Sequence, residues 1–163
     1  MSGGTPAVPP LPAAPLPVRA AAWLLDLLLA TVAGALVALP GGWLVVVHGT
    51  WTERSDGTYV LESAPALGLV LIGAGWLVQI LVSLWNQGLR QGRTGRSIGK
   101  GRLGLTTVDP GTGRPIGAPR GALRWLAAAL LGMLCLITYL WAIVDPRRRG
   151  WHDLLVGSLV VRD

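Results

Sequence analysis

The run from Ala20 to Leu39 constrains the chain more than any other stretch: twenty residues, apolar except for Asp26 and Thr31, opened by Arg19 and followed by Pro40-Gly41-Gly42. A helix rises ~1.5 Å per residue, so this run matches the ~30 Å hydrocarbon core of a bilayer. A soluble helix of that length carries a polar face, and this one has none. Pro40-Gly41-Gly42 is expected to end it. Asp26 is the anomaly, since an ionisable group at the centre of a spanning helix costs about 2.5–3.5 kcal/mol and is expected to face a partner or a water-filled cavity. Arg19 lies two turns earlier on the same side, and Ala30, Gly34 and Ala38 continue the stripe with small residues that let another helix approach. The plainer alternative is an Arg19 that snorkels to the interface with Asp26 merely tolerated.

Composition agrees with a membrane protein. Of 163 residues, 52% are hydrophobic and 13% charged, with a mean hydropathy of +0.54, against about 25% charged in soluble domains. A net charge of +6 would suggest nucleic acid in a soluble protein; here basic cytoplasmic loops account for it, and no nucleic-acid partner is expected. One cysteine, Cys135, excludes an intrachain disulfide and a thiol metal cluster. No cofactor or metal is expected. The N-terminus lacks the charge pattern of a secretory signal, so the first helix is read as retained.

Residues 1–17 carry Pro6, Pro9, Pro10, Pro12, Pro15 and Pro17, a composition for a disordered, extended tail, either passive or recognised by a Pro-binding partner. Residues 18–163 then form the membrane domain. Between Gly41 and Ala64, Glu53, Asp56 and Glu62 outnumber Arg54, Asp56-Gly57 marks a turn between β-prone runs, and Trp43 and Trp51 suit an outer interface. His48 has no second ligand at metal spacing.

Ala66 to Trp85 is the second spanning candidate, entered just after Pro65. Gln79, Ser83 and Asn86 form a polar line continued by Gly75 and Gly68. Counting residues inward from Arg19 and Asn86 sets Asp26 at the depth of Gln79. Asp26 is therefore expected to face Gln79 or Ser83, with Asn86 near Arg19; ordinary interhelical hydrogen bonding is the alternative role.

From 86 to 123 the chain has seven basic residues, Arg90, Arg93, Arg96, Lys100, Arg102, Arg114 and Arg120, against Asp109 alone. This excess places the loop and the N-terminus in the cytoplasm of a multi-pass cell-membrane protein. Gly95-Arg96-Ser97-Ile98-Gly99 has the letters of a nucleophile elbow without a hydrolase context, and Gly99-Lys100 fails as a phosphate loop because Gly101 follows. The segment reads instead as a glycine turn into a short strand at Leu103–Val108, then a turn at Asp109-Pro110-Gly111. A third apolar segment, Leu123 to Val144, ends at Asp145-Pro146 before Arg147-Arg148-Arg149. A full crossing would put those arginines outside, so a re-entrant path bending around Gly132 to Thr138 and a cytoplasmic C-terminus are favoured. The β-branched end of the tail can pair with Leu103–Val108. The expected fold is thus an all-α membrane protein, with two long transmembrane helices, a third transmembrane or re-entrant segment and a short cytoplasmic β-hairpin-like element.

These pieces together resemble the RDD family of small membrane proteins: an arginine opening the first helix, an aspartate within it, the loop T-G-R-S-I-G-K-G-R-L-G-L and the closing W-H-D-L-L-V-G-S-L-V-V. The resemblance covers residue 18 to the end and maps the family's arginine and two aspartates onto Arg19, Asp26 and Asp153. Gly101 and Ser158 depart from the usual pattern. What the resemblance implies is a membrane architecture, with transport of ions or small solutes proposed for the family. The candidate charge cluster, ion-binding or structural, is Arg19, Asp26 and Asp153. Gln79, Ser83, Asn86 and His152 support it, and Gly95, Ser97, Gly99 and Lys100 form the basic glycine loop. In a transporter, Asp26 would exchange a proton for a cation; two or three helices enclose no path alone, so a homo-oligomer or a partner membrane protein is expected. In an adaptor or assembly factor, the same residues form a structural ion-pair network. No enzyme is expected, because no nucleophile with its base, paired carboxylates or metal cluster appears.

Overall fold

The computed structural model describes residues 13–134 and 137–162, with the backbone alone between 132 and 140. Most of the Pro-rich segment, Cys135 and the side chain of Tyr139 lie outside the described residues, as do the two central residues of the bend expected between Gly132 and Thr138. Helix α1 runs Leu16–His48, strands β1 and β2 are Thr50–Glu53 and Tyr59–Ser63, and α2 is Ala66–Ser83. The second helix continues through a π-helical segment, Leu84–Arg90, into α3, Gln91–Thr94. Then come α4 (Ile98–Arg102), β3 (Leu105–Val108), α5 (Ala118–Leu134), α6 (Ile137–Val144), α7 (Trp151–Val156) and β4 (Leu159–Arg162). Two helices, Leu16–His48 and Ala66–Thr94, are long and apolar enough to cross a membrane.

The fold is mostly helical, as expected, but Pro40-Gly41-Gly42 does not end α1, which carries Pro40 inside it. A proline deletes one backbone hydrogen bond, and spanning helices tolerate this where neighbouring groups compensate. Gly41 has its own use there. A Cβ on it would meet the Gly68 carbonyl oxygen at 2.6 Å and Leu71 Cβ at 2.7 Å, so only glycine allows this approach of α2.

The chain divides into two compact units, Leu27–Ser83 and the flanking residues up to Asp26 and from Leu84 onward. Within Leu27–Ser83, α1 and α2 pack through small residues: a Cβ on Gly34 would lie 2.7 Å from the Gly75 carbonyl oxygen, and one on Gly75 2.6 Å from Ala38 Cβ. The stripe of Gly34 and Ala38 thus receives α2 of the same chain. β1 and β2 pair antiparallel around the expected turn. Asp56 Oδ1 accepts from Thr58 N at 3.0 Å and Gly57 takes φ +80°, the left-handed position such a turn reserves for glycine.

In the flanking unit, β3 pairs antiparallel with β4 from Leu105↔Arg162 to Val108↔Leu159. The expected pairing of tail with loop forms, although the strands come from distant parts of the chain and make no hairpin. The other edge of β4 takes the residues before α1: Ala13 bridges Val161, and Ala14 N donates to the Val160 oxygen at 2.9 Å. Packing therefore begins inside the Pro-rich segment, before residue 18. Ala14, Ala22, Leu105 and Val160 form a buried apolar cluster beneath this sheet. Glycines bring α5 against the second long helix, since a Cβ on Gly121 would stand 2.3 Å from the Gly88 carbonyl oxygen and one on Gly92 2.4 Å from that of Gly117.

Candidate functional site

Two buried aspartates organise the flanking unit, and each is held differently. Asp26, 3% exposed, accepts from neutral donors. Asn86 Nδ2 and Gly99 N reach Oδ1 at 2.7 Å each, and Ser97 Oγ reaches Oδ2 at 2.5 Å. The glycine loop is built for this. Gly95, at φ +76°, ends α3 in the left-handed conformation, and Ser97 caps α4 by accepting from Lys100 N at 3.2 Å while donating to Asp26. A Cβ on Gly99 would meet the Ala22 carbonyl oxygen at 2.1 Å, so glycine alone lets α4 reach α1. Asn86 completes the seat by accepting from Ile98 N at 2.9 Å.

Asp153 has no exposed surface and is held by cations. Arg19 Nη2 reaches Oδ2 at 2.6 Å and Arg124 Nε reaches Oδ1 at 2.7 Å. Ser158 Oγ donates to Oδ1 at 3.1 Å and Gly150 N to Oδ2 at 3.3 Å. Arg19 also donates to the carbonyl oxygen of Arg148. Burial opposes the charge on Asp153, but Arg124 and Arg19 outweigh it and hold the carboxyl well below the usual carboxylate range. His152 stands beside it, with Nε2 3.6 Å from Oδ1. Burial there pushes the imidazole pKa down to about 4 against the pull of Asp153, so His152 is neutral at pH 7.

A polar chain joins the two carboxylates. Lys100, whose main chain bonds Ser97, sends Nζ to Thr107 Oγ1 at 2.8 Å. With its amide oxygen turned inward, Gln91 accepts from Thr107 Oγ1 at 3.0 Å, Lys100 Nζ at 2.9 Å and Arg124 Nη1 at 2.8 Å. Burial first, and then Arg124, push the Lys100 ammonium well below the usual lysine range. Among the described residues no buried side-chain polar atom lacks a hydrogen-bond partner, and no group of three or more His, Cys, Asp or Glu could hold a metal ion.

The structure therefore distributes Arg19, Asp26 and Asp153 over two centres bridged by the loop. Asn86 is bonded to Asp26. Gln79, expected opposite Asp26, instead donates to Thr31 Oγ1 at 3.4 Å. Counting inward took Arg19 and Asn86 as level, whereas the Asn86–Asp26 bond sets Asn86 level with Asp26. Ser83 is half-buried and engaged. Arg124, Gln91 and Thr107 escaped the sequence reading. Arg124 offered one signal, as a lone arginine at the start of an apolar run.

The RDD family model matches residues 13–157. The chain is 29% identical to the "Proline-rich antigen" of Mycobacterium leprae (strain TN) over 108 residues, 66% of this chain and 43% of that protein. It is 35% identical over 94 residues to a "Proline-rich antigen homolog" of Mycobacterium tuberculosis (strain ATCC 25618 / H37Rv), 53% of this chain and 39% of that protein. The chain thus spans less than half the length of these curated relatives. No solved structure matches significantly. With that match covering most of its length, this chain belongs to the RDD family.

Proposed function

We propose that this chain is a membrane adaptor or assembly factor, in which Arg19, Asp26 and Asp153 form a structural network that sets a basic, Pro-flanked platform at one membrane face. The observation that carries this reading is saturation. Asp26 already accepts from Asn86, Ser97 and Gly99, all donors, whereas a hard cation needs several oxygen ligands around it. Asp153 already carries two guanidinium groups, which repel a cation. The contacts of Ala13 with Val161 and of Arg19 with Asp153 support placing both ends on one face. The excess of arginine makes that face cytoplasmic and the cell membrane the location of a multi-pass protein. On this reading α5 and α6 enter and return without crossing, and a second copy or a partner membrane protein docks on the platform.

One observation favours a second reading, transport of ions or small solutes. Buried polar groups lie between the two carboxylates: Ser97 bonds Asp26 and the Lys100 main chain, while Lys100 Nζ, Thr107, Gln91 and Arg124 connect onward to Asp153, and buried ionisable groups of this kind mark ion and proton pathways in membrane proteins. The two readings separate in proteoliposomes under an imposed sodium or potassium gradient, with internal pH followed by a dye. The adaptor reading predicts the signal of empty vesicles, unchanged by Asp26→Asn. A cation-coupled proton flux that Asp26→Asn abolishes would establish the second reading and overturn the first.

A further inference from the structure

One surface of the flanking unit combines features that the carboxylate network does not use. Helices α6 and α7 meet through Trp141 and Trp151, edge to face with ring centroids 6.2 Å apart. Both rings are exposed, and so are Val144 and Leu155, at 75% and 61%. Between the helices runs Asp145 to Gly150, a turn fixed from within. Arg148 N donates to the Asp145 carbonyl oxygen at 2.8 Å, and Arg149 donates to Asp145 Oδ2 through N at 2.8 Å and Nε at 3.0 Å. Arg149 is thereby committed to Asp145. Arg148 stands at φ +52°, the one non-glycine residue with positive φ among those described, and its carbonyl oxygen is clasped by Arg19. A non-glycine residue persists in that conformation only where its surroundings over-determine it. The turn consequently presents Arg147 and Arg148 as exposed guanidinium groups, with no carboxylate partner among the described residues, beside exposed aromatic and aliphatic side chains.

We propose that this surface binds an acidic phospholipid: Arg147 and Arg148 take the phosphate, and Trp141, Trp151, Val144 and Leu155 receive the upper acyl chains. Charge complementarity selects an anion, and arginine suits a phosphate because its planar fork donates two parallel hydrogen bonds. The adjoining apolar surface selects an amphiphile over a free anion, since tryptophans favour the interface between headgroup and hydrocarbon. By contrast Arg114 stands on the polar turn after Asp109 with no exposed aromatic on the same turn. The proposal rests on the chain being membrane-embedded and is independent of whether the carboxylate network transports or supports.

The test uses the full chain in a neutral detergent, mixed with phosphatidylglycerol or phosphatidylcholine, with bound lipid counted by native mass spectrometry. Phosphatidylglycerol should be retained in preference to phosphatidylcholine. Two arginines near a membrane surface are worth on the order of 30-fold in binding, so Arg147→Gln with Arg148→Gln should remove most of that preference. The corresponding double lysine variant should keep most of it, and Arg114→Gln all of it. Equal retention of both lipids by the unaltered chain would overturn the proposal, whatever the variants do. So would a double glutamine variant that retains the preference, or displacement of the lipid by millimolar inorganic phosphate, which would identify a free-anion site.

Discussion

The two units of this chain share one device for holding apolar helices together where water gives no hydrophobic drive, close approach at glycines, and only one of them adds buried charge. Leu27–Ser83 does it with backbone proximity, where Gly34, Ala38 and Gly41 meet Gly75 and Gly68, and with the weak bond of Gln79 to Thr31 at 3.4 Å. The flanking unit has its own glycine contacts at Gly88, Gly92, Gly99 and Gly121 and adds charge: Asp153, Arg19, Arg124, Lys100 and Asp26 are all buried or nearly so and bonded into the same polar core. Close packing of small residues rests on van der Waals contact at short backbone approach, so added bulk disrupts it. A buried ion pair contributes less net stability than its geometry suggests, because desolvation offsets attraction, but breaking it is costly. The comparison teaches where each unit is fragile. Both fail when a side chain grows at a contact glycine, and the flanking unit fails as well when a charge is lost.

The sharpest break is Asp153→Asn. It keeps the volume and leaves Arg19 and Arg124 facing each other with side chains only 13% and 10% exposed. Removing one partner of a buried pair costs about 3–5 kcal/mol, so thermal unfolding in detergent should move down strongly or the chain should fail to accumulate.

Acid should find the same unit. His152 is neutral when folded, with a pKa lowered from 6.5 to about 4. Between those values the unfolded chain binds the extra proton, so stability falls as pH drops from 6.5 towards 4, with a slope of at most ~1.4 kcal/mol per pH unit. His152→Gln should flatten that slope in unfolding measured across the window. Asp153, held well below 3.8, keeps its contribution down to that pH and loses it only on further acidification.

In Leu27–Ser83, Gly75→Ala is the matching break, since the new Cβ would lie 2.6 Å from both Ala38 Cβ and the Gly34 carbonyl oxygen. Overpacking of this kind costs about 1–3 kcal/mol, and the loss should be independent of pH. Smallest of all is Gln79→Leu. Its bond to Thr31 belongs to a class averaging about 0.6 kcal/mol in membrane proteins, so unfolding should barely shift. A loss as large as that of Asp153→Asn would erase the distinction between the units.

How much of this was legible in the sequence follows the same division. The two long helices follow from length and hydropathy, and the β1–β2 turn from Asp56-Gly57. The small-residue stripes were visible at Ala30, Gly34 and Ala38 and at Gly68 and Gly75. The partner of Asp26 on the second long helix was not legible, because counting depth took Arg19 and Asn86 as level and only the folded contacts bring Asn86 to Asp26. Ser97 and Gly99 were visible as a glycine loop, but that the loop folds back onto α1 depends on contacts far apart in sequence. Pro40 misled because a proline stops a helix in water more reliably than in a spanning segment. Arg124 was hidden by position: an arginine opening an apolar run reads as a boundary marker, and only the return of α7 against α5 makes it a partner of Asp153.

The account depends on the first and last described residues lying on one side of the membrane, joined through Ala13–Val161 and Arg19–Asp153. Its most direct test is labelling with a membrane-impermeant maleimide in intact cells, using single cysteines at Ser2 and at Arg162 in a Cys135→Ser background. The account predicts that both positions stay protected until the membrane is permeabilised and then react together. Labelling of one position from outside while the other stays protected would contradict it, because Asp153 and Arg19 would then be separated by the bilayer.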